Sequence, residues 1–344
     1  MPARALGGLA SVQEVCPVRV LIADKFEDSG VQALKAAGCE VVVDPGLGPD
    51  TLPEALATHG PEILIVRSTK VPAAVIEGQG SLKGIIRAGA GHDNVDSAAA
   101  SGKGVAVCNC PGMNAVAVAE LAMGHIINCD RRLPAQDAEI RTGQWNKKEY
   151  AKARGLKGLS LLLVGMGAIG REVATRANAF GIDVVGWSRS LTPQSAEQMG
   201  VRFGGSSQDD LRKLLGDADV VSVHVAATPE TKGMCDASFF GAMKDGAYFI
   251  NTARGTLVDE AALLDAIKTK GLRAGTDVYQ NQPGTPNEAF ETSLAGNPSV
   301  CCSHHCGAST DQAQQAVAQE TVRIVTEYQK TGQFINMVNA LQPA

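Results

Sequence analysis

Apolar residues in this chain come in short unbroken runs, and Ala-rich stretches with helical spacing separate them. "RVLIAD" (19–24) predicts a strand, "SGVQALKAAG" (29–38) a helix and "EVVV" (40–43) a strand. "EILIV" (62–66), "GIIRAG" (84–89) and "VAV" (105–107) continue the series. One long helical stretch follows, from about Asn114 to Thr142, with Pro134 interrupting it. A second series opens at "LSLLLVG" (159–165) and runs through "DVVGW" (183–187), "DVVSV" (219–223), "AYFIN" (247–251), "LRAGT" (272–276) and "SVCCS" (299–303). A last helix is expected from Ser309 to Lys330. Strands that are apolar at consecutive positions are buried on both faces, so each series predicts a parallel sheet covered by helices. With 344 residues the chain exceeds what one core usually serves. Two α/β units joined by long helices follow.

Composition narrows the function classes. The chain is 44% hydrophobic and 19% charged, with net charge −5 and no long basic run. Nucleic-acid binding needs positive charge to displace counterions, so no nucleic-acid partner is expected. No apolar stretch reaches the ~18 residues of a membrane helix, so no membrane partner is expected either. Residues 1–16 lack the long apolar run of a secretory signal and are read as a frayed extension. Arg4, with Glu14 as the one acid, leaves an organellar targeting segment open. Nine scattered cysteines without a CxxC pair suit a reduced, cytoplasmic protein.

"CCSHHC" (301–306) puts five potential metal ligands in six positions. If the strand continues through it, Cys301, Ser303 and His305 share one face and Cys302 and His304 the other. Ligands two apart on a strand are roughly 6–7 Å apart. Zinc needs donor atoms about 2.0–2.3 Å from one centre. No metal site is therefore expected, and Cys301 and Cys302 are read as small buried apolar residues.

Gly165, Gly167 and Gly170 form GxGxxG, directly after an apolar strand and opening an Ala-rich helix at Ala168 and Ile169. In that context the glycines serve a tight turn, close approach of a pyrophosphate and helix–strand packing. The helix N-terminus supplies N–H groups to the anion. About twenty residues on, "DVVGW" ends in Ser188-Arg189-Ser190, where NAD-preferring sites usually carry an acid. A guanidinium and hydroxyls suit a 2′-phosphate, so NADP(H) is favoured over NAD(H). Arg254 follows another buried strand at its carboxyl end, where ligands of open α/β sheets bind.

Together, "LIVRSTKV" (64–71), "IIRAGAGHDNVD" (85–96), "AVAELAMG" (117–124), "GQWNKKEY" (143–150), "VGMGAIGREVATR" (164–176), "NTARGTLVDEAAL" (251–263) and "GAST" (307–310) resemble the D-2-hydroxyacid dehydrogenases. Within that family the chain is most similar to the phosphoglycerate dehydrogenases without a C-terminal regulatory domain. The resemblance implies two Rossmann-like domains, the first flavodoxin-like and discontinuous. Residues 17–111 plus 309–344 would bind substrate and 112–308 would bind NAD(P). It also implies a homodimer. Arg254 would bind the substrate carboxylate and polarise its carbonyl, and His305 would exchange a proton with the substrate oxygen. Val225, Thr252, Ala253, Asp277 and Gly307 would meet the cofactor. Arg67 and Ser68 would approach a phosphate, and the backbone at Ala90 and Gly91 would meet the carboxylate. Asn109 and Asn114 would lie near the chain crossings, and Trp145 and Lys147 would reach the partner's site. His92 and His224 are assigned to packing or hydrogen bonding.

One position departs from the family pattern. Gln282 stands where the family has the glutamate that pairs with the histidine. Formate dehydrogenases of the same superfamily also carry glutamine there, which keeps formate-like chemistry as an alternative. The leading expectation is a reductase or dehydrogenase of a small 2-oxo or 2-hydroxy acid, phosphohydroxypyruvate or hydroxypyruvate/glyoxylate. A nucleotide-sensing protein, like the C-terminal-binding-protein corepressors, is the alternative of another class.

Overall fold

The computed structural model describes residues 17–283 and 288–341. The predicted extension 1–16 lies outside them. The chain divides into two compact units, Met1–Pro111 with Val317–Ala344, and Gly112–Ala316.

The first unit holds β1 (Arg19–Ile22), β2 (Glu40–Val43), β3 (Ile63–Val66), β4 (Gly84–Arg87) and β5 (Ala106–Asn109). All pair in parallel in the order β2-β1-β3-β4-β5, the flavodoxin-like order. Its central runs, such as Ile63-Leu64-Ile65-Val66, are buried at every position because both faces are covered. Val20, Ile22, Ile63 and Ile65 join one core, and Leu21, Leu64 and Val66 the other. The segment after the last helix closes the β5 edge: Val107 N donates to Asn339 Oδ1 at 2.7 Å and Val338 N to Val107 O at 2.8 Å.

The second unit holds β6 (Ser160–Val164), β7 (Asp183–Trp187), β8 (Arg202–Phe203), β9 (Val220–Val223), β10 (Tyr248–Asn251), β11 (Arg273–Thr276) and β12 (Val300–Cys302). They form one parallel sheet, β12-β11-β10-β9-β6-β7-β8. Strand order reverses at β6, between β7 and β9, which places a crevice at the carboxyl ends of β6 and β9.

Four readings are corrected. β8 escapes the sequence reading, because two exposed edge residues carry no hydrophobic pattern. The long helix breaks at Arg132, in the left-handed region at φ 55°, and not at Pro134. Pro134 sits in the first turn of the following helix, Leu133–Arg141, where its missing N–H costs nothing. β12 ends at Cys302, so the strict alternation expected through His305 does not hold; His305 has φ 50°. Cys301 and Cys302 are not the buried residues expected: Cys302 is exposed and Cys301 half-buried, because β12 is an edge strand.

Candidate active site

Val164 ends β6 and Gly165 turns the chain, at φ 108°. A Cβ at Gly165 would stand 2.7 Å from the His224 carbonyl carbon, so only glycine fits. One at Gly170 would run into the Gly165 carbonyl oxygen, so strand and helix pack through the missing side chain. Gly167 N-caps the helix Ala168–Ala179 without a side-chain cap, and a Cβ there would meet nothing within 4 Å. Ile169 is half-buried behind it. Uncapped N–H groups beside open space at a helix N-terminus fit an anion. Thr252 follows β10 and is buried, and its Oγ1 has no partner. Ala253 is also buried there, its N–H held by Asn251 Oδ1 at 3.0 Å. Val225 is half-buried after β9. His224 Nε2 lies 2.8 Å from Ser222 Oγ, and burial pushes its pKa down to about 4, so it is a neutral hydrogen-bonding residue. These features fit a dinucleotide.

Past β7, Ser188 Oγ lies 3.4 Å from Ser190 Oγ and Arg189 is exposed. The acid near Arg189 comes from elsewhere in the chain. The Thr228 hydroxyl, its own backbone and, more weakly, the Arg189 charge hold Glu230 below the usual carboxylate range.

Gln282 and His305 meet beside Tyr279, and the turn after Arg254 abuts the same tyrosine. A Cβ at Gly255 would run into the Tyr279 carbonyl, so the turn after Arg254 lies directly on that backbone. Arg254 itself is half-buried, with its Nη1 2.8 Å from Ala253 O and its carbonyl held by Asn251 Nδ2 at 3.0 Å. Tyr279 N donates to Gln282 Oε1 at 3.3 Å and its hydroxyl donates to Ser303 O at 2.7 Å. Gln282 Nε2 lies 2.6 Å from His305 Nδ1. A guanidinium suited to a carboxylate thus shares one sheet edge with an imidazole suited to proton exchange.

Asp277 is 1% exposed and holds the turn that carries His305. Its Oδ1 accepts from Ser303 Oγ at 2.6 Å and Cys306 N at 3.0 Å, and its Oδ2 from Gly307 N at 2.9 Å. In the other unit Asp24 plays a similar part. It accepts from the backbone N–H groups of Arg67 at 2.6 Å, Ser68 at 3.2 Å and Thr69 at 3.1 Å, and from Ser68 Oγ at 2.9 Å. The Ser68 hydroxyl hydrogen is thereby committed within the chain. Arg87 Nε donates to Arg67 O at 3.0 Å, and Asn109 Nδ2 to Ala90 O at 2.6 Å. Ala90 and Gly91 are half-buried, and Gly89 before them donates its N–H to Arg87 O at 2.8 Å and accepts from Cys110 N at 2.9 Å. Sequence reading missed Asp24, Tyr279 and Ser303. Each acts through a partner in another segment, which leaves no local signal.

Asn114 opens the helix Ala115–Arg131 with its Oδ1 buried and unpartnered. Trp145 is 80% exposed and Lys147 is exposed. Among the described residues, no three His, Cys, Asp or Glu side chains gather as a metal site, and every cysteine is free. No helix among them is long and apolar enough to cross a membrane.

Comparison with known proteins accords with this geometry. Residues 123–307 match the profile of "D-isomer specific 2-hydroxyacid dehydrogenase, NAD binding domain". D-3-phosphoglycerate dehydrogenase of Methanocaldococcus jannaschii is 35% identical over 94% of this chain and 60% of that protein. The chain spans about three-fifths of the length of such relatives. Hydroxypyruvate reductase of Thermotoga maritima is 38% identical over 76% of this chain and 82% of that protein. Among solved structures, a glyoxylate reductase from Paecilomyes thermophila matches with TM-score 0.83 at 27% identity, covering 94% of this chain and 98% of that one. The switch-point sheet, its glycine turn and these matches agree: the chain belongs to the D-isomer specific 2-hydroxyacid dehydrogenase family.

Proposed function

We propose that the chain interconverts a small 2-oxo acid and its D-2-hydroxy acid with a nicotinamide nucleotide, in the manner of phosphoglycerate dehydrogenase. The observation that carries this reading is the contact of Gln282 Nε2 with His305 Nδ1, at the same carboxyl edge of a dinucleotide-binding sheet that Arg254 follows. Arg254 binds the substrate carboxylate and draws charge from the carbonyl. His305 gives a proton to the carbonyl oxygen during reduction and takes it back during oxidation. Gln282 orients the ring. The nucleotide, held by Gly165, Gly167, Ala168, Ile169, Gly170, Val225, Thr252 and Ala253, supplies the hydride when bound. Asp277 and Gly307 back that surface, joined by the Gly307 N–H to Asp277 Oδ2. Residues 112–308 form the nucleotide-binding part, and 17–111 with 309–344 the substrate-binding part.

The substrate we favour is a phosphorylated three-carbon 2-oxo acid. Within the first unit, Arg67, fixed by Asp24 and Arg87, meets its phosphate and Ala90 and Gly91 its carboxylate, with Asn109 held to Ala90 O. The relatives named hydroxypyruvate reductase and glyoxylate reductase support the unphosphorylated acids as the second choice. Ser188 and Arg189 favour NADP(H). A homodimer, with Trp145 and Lys147 given to the partner's site, is supported by the exposed Leu133, Ile140 and Trp145 and by the absence of any buried residue on the helix Leu133–Arg141. A formate-like reaction keeps one specific support: an amide nitrogen on Nδ1 favours a neutral imidazole, and hydride loss from formate needs no proton on oxygen. Turnover of phosphohydroxypyruvate, hydroxypyruvate, glyoxylate and, in reverse, formate, each with NADPH and NADH, tests the reading. Nucleotide binding without turnover of any of them would instead identify a sensor.

A further inference from the structure

His125, on the helix Ala115–Arg131, is 2% exposed and has no part in the chemistry above. Its Nε2 lies 3.0 Å from Ser303 Oγ, which lies 2.6 Å from Asp277 Oδ1. The direction of each bond follows from chemistry. A carboxylate only accepts, so the Ser303 hydrogen goes to Asp277. The Ser303 oxygen then accepts, and His125 carries its proton on Nε2. Its Nδ1 has no partner, and burial lowers its pKa, so the ring is the neutral tautomer. Gly275 makes room for it: a Cβ there would come within 2.6 Å of His125 Cβ.

We propose that Ser303 and His125 are positioning residues for His305, acting through Asp277 to hold the 303–307 turn in the conformation that presents the imidazole to Gln282. This rests on the reading of His305 as the proton-exchanging group. A left-handed φ of 50° at a non-glycine residue is strained and persists only where the surroundings impose it. Asp277 imposes it from both sides, taking Ser303 before the histidine and the N–H groups of Cys306 and Gly307 after it. The Ser303 hydroxyl at 2.6 Å is the closer side-chain donor to Asp277, ahead of the Cys306 thiol at 3.7 Å, so its orientation needs a second anchor. His125 provides that anchor from the adjacent helix.

The test compares side chains of equal shape that differ in one hydrogen bond. Ser303→Thr keeps the hydroxyl and should hold kcat within about threefold of wild type. Ser303→Val lacks it and should lower kcat roughly ten- to a hundredfold, while the Kd for NADPH or NADH stays within about twofold. His125→Gln, with an amide N–H near the Nε2 position, should retain more kcat than His125→Leu. A wild-type kcat in Ser303→Val, or equal losses in His125→Gln and His125→Leu, would overturn the inference. His305→Gln separates it from the parent reading. Full activity in that variant would sink the assignment of His305 itself, whereas its inactivity beside an active Ser303→Val would sink the positioning chain alone.

Discussion

Gln282 Nε2 lies 2.6 Å from His305 Nδ1 while Gln282 Oε1 takes the Tyr279 N–H at 3.3 Å. With the amide so turned, Nδ1 accepts and the ring proton sits on Nε2. An imidazolium carries hydrogen on both nitrogens and needs an acceptor at Nδ1. The amide offers one only by turning over and giving up Tyr279. A carboxylate would accept at once and favour the charged ring.

Gln282→Glu should therefore raise the pH at which His305 loses its proton. Reduction of a 2-oxo acid needs the imidazolium, so its kcat/KM should persist further into alkaline pH, by on the order of one unit. Oxidation needs the neutral ring and should begin to fall at correspondingly higher pH on acidification. Superimposed wild-type and variant profiles would contradict this.

The cofactor assignment rests on Ser188 and Arg189. A charge-assisted contact to a 2′-phosphate contributes about 1.5–3 kcal/mol, or roughly ten- to a hundredfold. NADPH should give the higher kcat/KM, and Ser188→Asp should reverse the preference. A tenfold preference for NADH in the wild type would defeat the assignment.

Much of this was legible in the sequence, and the remainder was not for a consistent reason. Runs such as "EILIV" and "DVVGW" hold β3 and β7, because strands buried on both faces write themselves as unbroken apolar segments. Gly165 and Gly170 were legible because their spacing encodes backbone geometry. What Cys301 and Cys302 touch was not, since nothing local marks β12 as an edge strand. Nor was the turn at His305 visible, because its cause is Asp277, far away in sequence. Asp24, Tyr279 and His125 belong to the same class.

Stability should respond to acid through Asp219. The residue is 8% exposed, and burial alone would raise its pKa. Lys244 Nζ at 2.8 Å, Ser160 N at 3.0 Å and Arg154 Nη2 at 2.5 Å outweigh burial and bring it down to about 2. A carboxylate depressed in the folded state stabilises above its unfolded pKa of about 3.9 and loses that contribution as pH falls toward the folded value. Asp219→Asn should cost on the order of 2 kcal/mol at pH 7 in denaturant unfolding, with the difference from wild type shrinking between about pH 4 and pH 2. An unchanged difference across that window would contradict the account.

The central claim is that His305 exchanges the proton while hydride passes between the nucleotide and a 2-oxo acid. The most direct measurement is steady-state reduction of phosphohydroxypyruvate and hydroxypyruvate by wild type and by His305→Gln, with the Kd for the reduced nucleotide measured in parallel. The wild type should turn over at least one of these acids. His305→Gln should lower kcat by roughly 10²- to 10⁴-fold with nucleotide binding preserved. Retention of wild-type kcat in His305→Gln, or the absence of turnover of either acid by the wild type, would contradict it.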